Sequence, residues 1–176
     1  MPKLKTKMID STQQSQGDDL YFGAMERHPN ESSWIGVLLC EYATLEHSVI
    51  QVLGIGLGGN LEAAYVICAS VHSNDQRIDI TAGVVEKSSL SVDMKLQAQN
   101  LLSEARAINK FRNILVHGLW GAKETSGEVV LTSKLYSKKI DQKTVTVEDL
   151  QKRVAEIRNL NGRFAKTLFP DQIIPA

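Results

Sequence analysis

Arg106, Lys110, Asn113 and His117 recur at 4-3-4 spacing, so a helix running through them carries all four on one face. Arg112 stands beside them in the run Phe111-Arg112-Asn113-Ile114-Leu115-Val116-His117-Gly118. An imidazole takes or gives a proton near neutral pH. A guanidinium holds an oxyanion through its bidentate fork, and a carboxamide orients either group. Together these residue types suit proton transfer at a centre that carries negative charge. On an ideal helical wheel Arg112 falls in the middle of an apolar stripe, within about 60° of Leu101, Ala105, Ile108, Leu115, Val116 and Leu119. Asn109, Asn113, Arg106, His117 and Lys110 form the adjoining polar arc.

An arginine facing a core is expensive unless a carboxylate accepts its hydrogen bonds. An upstream helix offers the acid. Glu46 lies between Leu39 and Leu53 on its wheel and is flanked by Tyr42, Val49 and Ile50, while Glu41 borders the same face near Trp34 and Val52. This placement predicts a Glu46–Arg112 pair across a helical bundle, with Glu41 as the second choice. The bland alternative stays open at this point: the pair only satisfies two buried charges, His117 favours a helix C-terminus, and Arg106 and Lys110 are solvated.

The elements that must position these groups are mostly helical. Ser32 or Ser33 is the expected cap of a helix from about Trp34 to Leu53, which Gly54-Ile55-Gly56-Leu57-Gly58-Gly59 ends. Asn60 caps a shorter helix over Leu61–Val71, and a turn over His72–Gln76 leads to a helical segment around Ile78–Lys87. Ser91 opens a long helix reaching about Leu119. Glu128–Tyr136 and Lys143–Val147 have the composition of strands joined by a polar loop. Thr146-x-x-Asp149 resembles a capping box for a last helix from Glu148 to about Leu168, with the apolar stripe Leu150, Val154, Ile157, Phe164 and Leu168 and a stop at Pro170. The fold class expected is all-α: a helical bundle with a small β-hairpin, about 128–147, inserted before the C-terminal helix. Residues 1–31 are read as an N-terminal arm that docks only through Leu20, Tyr21 and Phe22, residues 32–169 as one domain, and 170–176 as a tail.

Composition narrows the function. The 176 residues hold 20 Lys+Arg and 20 Asp+Glu, a formal net charge of zero, with 43% hydrophobic residues. A wholly basic nucleic-acid binder and an acidic disordered tail are excluded. The zero conceals opposed halves, however, with −5 over residues 1–100 and +5 over 101–176, which leaves room for a local phosphate site. Cys40 and Cys68 are too few for a disulfide scaffold, and His28, His47, His72 and His117 have no ligand spacing, so no metal or other cofactor is expected. Gly54-x-Gly56-x-x-Gly59 matches the dinucleotide fingerprint in letters, with Asp79 twenty residues on. It follows a helical pattern rather than a strand and is read as a helix end. Lys138, Lys139 and Lys143 are read as a solvated hairpin tip. The N-terminus lacks the apolar core of a secretory signal, and no run is long enough to cross a membrane. A cytoplasmic, soluble protein without a membrane partner is expected.

The motif Arg112-Asn113-x-x-x-His117 resembles the R-x4-6-H motif of the HEPN superfamily (higher eukaryotes and prokaryotes nucleotide-binding domains). The resemblance covers about residues 33–120 together with the last helix, and the hairpin lies outside the family's minimal pattern. It implies a helical bundle, often dimeric, with the motif late on a long helix. Many members are metal-independent endoribonucleases, including toxins and phage-defence components; others have lost catalysis and act in binding or assembly. It therefore implies a homodimer acting on RNA, with an antitoxin or regulatory protein as a further partner, or a non-catalytic interaction module. In the nuclease reading His117 is the acid or base, Arg112 stabilises the phosphorane charge, Asn113 orients, Glu46 and Glu41 hold the arginine, and Arg106 and Lys110 touch phosphate. RNA supplies its own nucleophile, the 2′-hydroxyl, so no metal is needed. Arg112 and His117 lie about 140° apart on an ideal helix, which one copy would splay and two copies at a two-fold axis could reunite.

Overall fold

The computed structural model describes residues 20–22, 24–133 and 141–168. Most of the expected hairpin loop, including Lys138 and Lys139, the C-terminal tail and most of the N-terminal arm lie outside them. The described chain is mostly helical, with five α-helices and a four-stranded antiparallel sheet in the order β1-β2-β3-β4. No described helix is long and apolar enough to cross a membrane.

The first helix, α1 (Pro29–Gly56), begins five residues before the expected start. Neither Ser32 nor Ser33 caps it. Pro29 occupies the first turn, where its missing N–H costs nothing, and the Ser32 hydroxyl instead donates to the Met25 carbonyl at 2.7 Å. At the other end Gly54 and Gly56 lie within the helix, and the lack of a Cβ there lets neighbouring elements come close. A Cβ on Gly54 would lie 3.1 Å from the Leu61 side chain, and one on Gly56 would lie 3.1 Å from Val84. Only Gly58 and Gly59, at φ 73° and 91°, make the turn. The dinucleotide-like glycines thus serve close helix packing and one reversal.

Asn60 caps α2 (Leu61–Ala69), its side chain accepting from the Ala63 N–H at 3.0 Å. The helix α3 (Asn74–Lys87) absorbs most of the turn expected at 72–76. Ser91 caps α4 (Val92–His117) through the Met94 N–H. A Cβ on Gly118 would stand 2.5 Å from Leu131 Cδ1 and 3.1 Å from the Thr132 carbonyl oxygen, so glycine alone lets the end of α4 lie against the sheet.

The chain then enters β2 (Leu119–Lys123), turns through Gly127, and returns as β3 (Val129–Ser133). The strand β4 (Asp141–Thr144) pairs with β3, and β1 (Leu20–Phe22) pairs with β2 on the opposite edge, Tyr21 facing Ala122. Two consequences correct the expectation of a lone hairpin. Leu119 is a strand residue rather than the last of α4, and the segment expected to dock the arm is a sheet strand. The capping box of α5 (Val147–Leu168) is reciprocal: Asp149 N–H donates to Thr146 Oγ1 at 3.1 Å and Thr146 N–H donates to Asp149 Oδ2 at 3.2 Å. Leu150, Val154, Ile157, Leu160 and Phe164 of α5 bury against α1, each such side chain contributing about 1.5–3 kcal/mol.

Candidate functional site

Tyr42, in the middle of α1, organises the polar interior. Its hydroxyl donates to Asn109 Oδ1 on α4 at 2.5 Å and accepts from Asn74 Nδ2 on α3 at 3.2 Å. Asn109 is fully buried and passes the chain on, donating to Asp75 Oδ1 at 2.8 Å. Asn74 also donates to Glu46 Oε1 and accepts from Arg77 Nη1. Three helices are thereby stitched by side chains whose polar atoms satisfy one another, the condition under which a buried network is stable.

Burial, and then the negative charge of Glu46, pushes the Tyr42 phenol up from 10.0 to about 12. A phenol whose folded value exceeds its unfolded one contributes stability fully below pH 10 and loses it as pH rises toward 12. One tyrosine should therefore ionise last in an ultraviolet titration of the folded protein, and Tyr42→Phe should remove that step. The wild type should also lose more stability than Tyr42→Phe between pH 10 and 12. An equal loss in both would show that Tyr42 is not the group responsible.

Arg112 packs on the same tyrosine, its Cζ 5.3 Å from the ring centroid, a cation–π contact. Its Nη1 donates to Asn113 Oδ1 at 3.2 Å, while its buried Nε has no hydrogen-bond partner. The expected Glu46–Arg112 pair is absent among the described residues. Asn74 donates to the Glu46 carboxylate, and the Arg112 guanidinium lies over the Tyr42 ring instead. Glu41 is not the substitute: it accepts from Arg158 Nε of α5 at 2.7 Å.

The wheel placed the buried side of α4 too far toward Val116 and Leu119, which are 43% and 44% exposed. Its buried residues are Ala98, Leu101, Leu102, Ala105, Asn109 and Leu115. Arg112 is consequently at the border of the core rather than at its centre. Arg106 does not stand free for phosphate; it is paired with Asp79 of α3. Lys110 is exposed.

Asn113 and His117 open on a hollow at the end of α4, lined also by Ile114, Gly118, Ser133 and Asp141. The motif thus divides, with Asn113 as the hinge: Arg112 reaches inward to Tyr42 and His117 is presented to solvent. Asn74 and Asp75 escaped the sequence reading because they sit in the segment read as a turn, His72–Gln76, and Arg77 because it falls between that turn and the helix expected from Ile78. The Asn74-Asp75 doublet after Ser73 is an acceptable helix start, and that was the only local signal. Among the described residues no group of histidines, cysteines and acids is placed to hold a metal ion. No protein-family model, curated protein or solved structure matches the chain.

Proposed function

We propose that the chain is a metal-independent endoribonuclease of HEPN type, acting as a homodimer in the manner of a toxin or phage-defence component. What carries the reading is one juxtaposition: Asn113 and His117 share an open hollow, and Asn113 holds the Arg112 guanidinium at 3.2 Å. In the reaction the RNA 2′-oxygen bonds to the adjacent phosphorus and the bond from phosphorus to the 5′-oxygen breaks. The products are a 2′,3′-cyclic phosphate and a 5′-hydroxyl. His117 takes the 2′-hydroxyl proton and, once charged, gives a proton to the leaving 5′-oxygen, and Arg112 meets the charge developing on the phosphorus oxygens.

A second reading, the non-catalytic homodimeric interaction module, is favoured by the apolar residues around the motif. Ile114, Val116 and Leu119 are each more than 40% exposed, and such a patch suits a protein partner. RNA incubated in EDTA with the wild type and with His117→Ala separates the two. The nuclease reading expects cleavage by the wild type at an undiminished rate, cyclic-phosphate ends, and loss of cutting in the variant. Equal cleavage by both, or none by either, leaves the interaction module.

A further inference from the structure

The hollow at His117 continues into a second one. Ile114, Ser133 and Asp141 line both, and the second extends between β3, β4 and the start of α5 with a volume of about 420 Å³, within the range of small-ligand sites. Its floor is apolar: Phe111, Ile114, Leu131 and Val145. Its rim carries Lys143, Lys152 and Arg153, all exposed. Two acids share the rim, Asp141 and Asp149. The Asp149 carboxylate is committed to the α5 cap, and the Thr146 backbone N–H, with Lys143 and Lys152 nearby, holds it below the usual carboxylate range. The Arg153 guanidinium lies 4.7 Å from the Phe111 ring centroid and donates to Glu156 at 2.7 Å, which places a planar cation at the lip.

We infer that this second hollow is a nucleotide subsite that takes one unpaired ribonucleotide beside the phosphate on which His117 acts. The base lies on the Phe111–Ile114 floor against the Arg153 plane, and Lys143 and Lys152 meet the neighbouring phosphates. Apolar floors and guanidinium planes accept unstacked bases, whereas a duplex keeps its bases stacked inside and offers only its phosphates and shallow groove. The occupant is therefore a single strand. The inference rests on the nuclease reading for the place of the scissile phosphate, but the subsite is built from α4, the sheet and α5 and binds independently of cleavage.

The test uses full-length His117→Ala protein, so that RNA survives, with a fluorescent single-stranded oligoribonucleotide and a duplex of equal length, titrated by anisotropy over a range of salt. Single-stranded RNA should bind at least about ten times tighter than duplex. Adding Ile114→Asp, an exposed position, should weaken it about tenfold, the scale of one lost base contact. Adding Lys143→Gln with Lys152→Gln should flatten the salt dependence by about 1.4, at about 0.7 per phosphate, and Lys87→Gln at the far end of α3 should change nothing. Equal affinity for duplex, indifference to the groove substitutions, or no binding of RNA overturns the subsite. Groove-dependent binding without cleavage by the wild type sinks the nuclease reading and leaves the subsite; cleavage that ignores the groove substitutions does the reverse.

Discussion

Asn109→Leu is expected to lower the unfolding free energy by about 2–3 kcal/mol, despite placing an apolar side chain of similar size in a buried position. The carboxamide accepts the Tyr42 proton and donates to Asp75. With leucine there, the Tyr42 hydroxyl keeps Asn74 as a donor but loses its own acceptor. A buried hydroxyl without an acceptor costs far more than the net worth of the bond it made. Asp75 is only partly buried and recovers water, which limits the loss. Urea denaturation should show a lower midpoint at unchanged slope, with Tyr42→Phe/Asn109→Leu recovering part of the deficit because the orphaned hydroxyl is gone. A variant within 0.5 kcal/mol of wild type would mean that the network does not hold the helices together.

That network also marks the limit of what residue patterns convey. Asn60, Ser91 and Thr146-x-x-Asp149 announce the starts of α2, α4 and α5 because a cap is made by residues three positions apart. The start of α1 is silent since no side chain caps it. Leu119–Lys123 carries little strand signal in its own composition, and beside its local hairpin with Val129–Thr132 its pairing with Leu20–Phe22 is a long-range fact. Asn109 reads as surface on a wheel that knows only residue type, and is buried because Tyr42 and Asp75 come from two other helices. The same blindness produced the Glu46–Arg112 pair. Two charged groups on apolar stripes need partners but not each other, and Asn74 and the face of Tyr42 are the partners at hand. Asn113 and His117 were legible as neighbours on one helical face; the hollow they share owes its far wall to Ser133 and Asp141 of the sheet.

The division of the motif leads to the larger functional effect. Arg112→Ala should cost about 10²–10³-fold in cleavage, the scale of a lost charge-stabilising donor, and His117→Ala about 10²–10⁴-fold, the scale of a lost acid or base. The stability cost of Arg112→Ala should be only about 1 kcal/mol, since a half-buried cation–π contact is what the fold loses. Arg112→Lys should rescue little activity, because an ammonium lacks the planar fork that spans both the Tyr42 ring and Asn113. Mixing the two alanine variants then decides how the halves of the motif meet. If each centre combines the arginine of one copy with the histidine of the other, a mixed dimer keeps one intact centre of its two. Mixed dimers form half of a random population, so unfolding and reassociating the two dead variants together should restore about a quarter of wild-type cleavage. Recovery of nothing would mean that Arg112 and His117 act within one copy. The guanidinium would then have to leave Tyr42 to reach the hollow, and Tyr42→Leu, which frees it, should raise cleavage instead of lowering it.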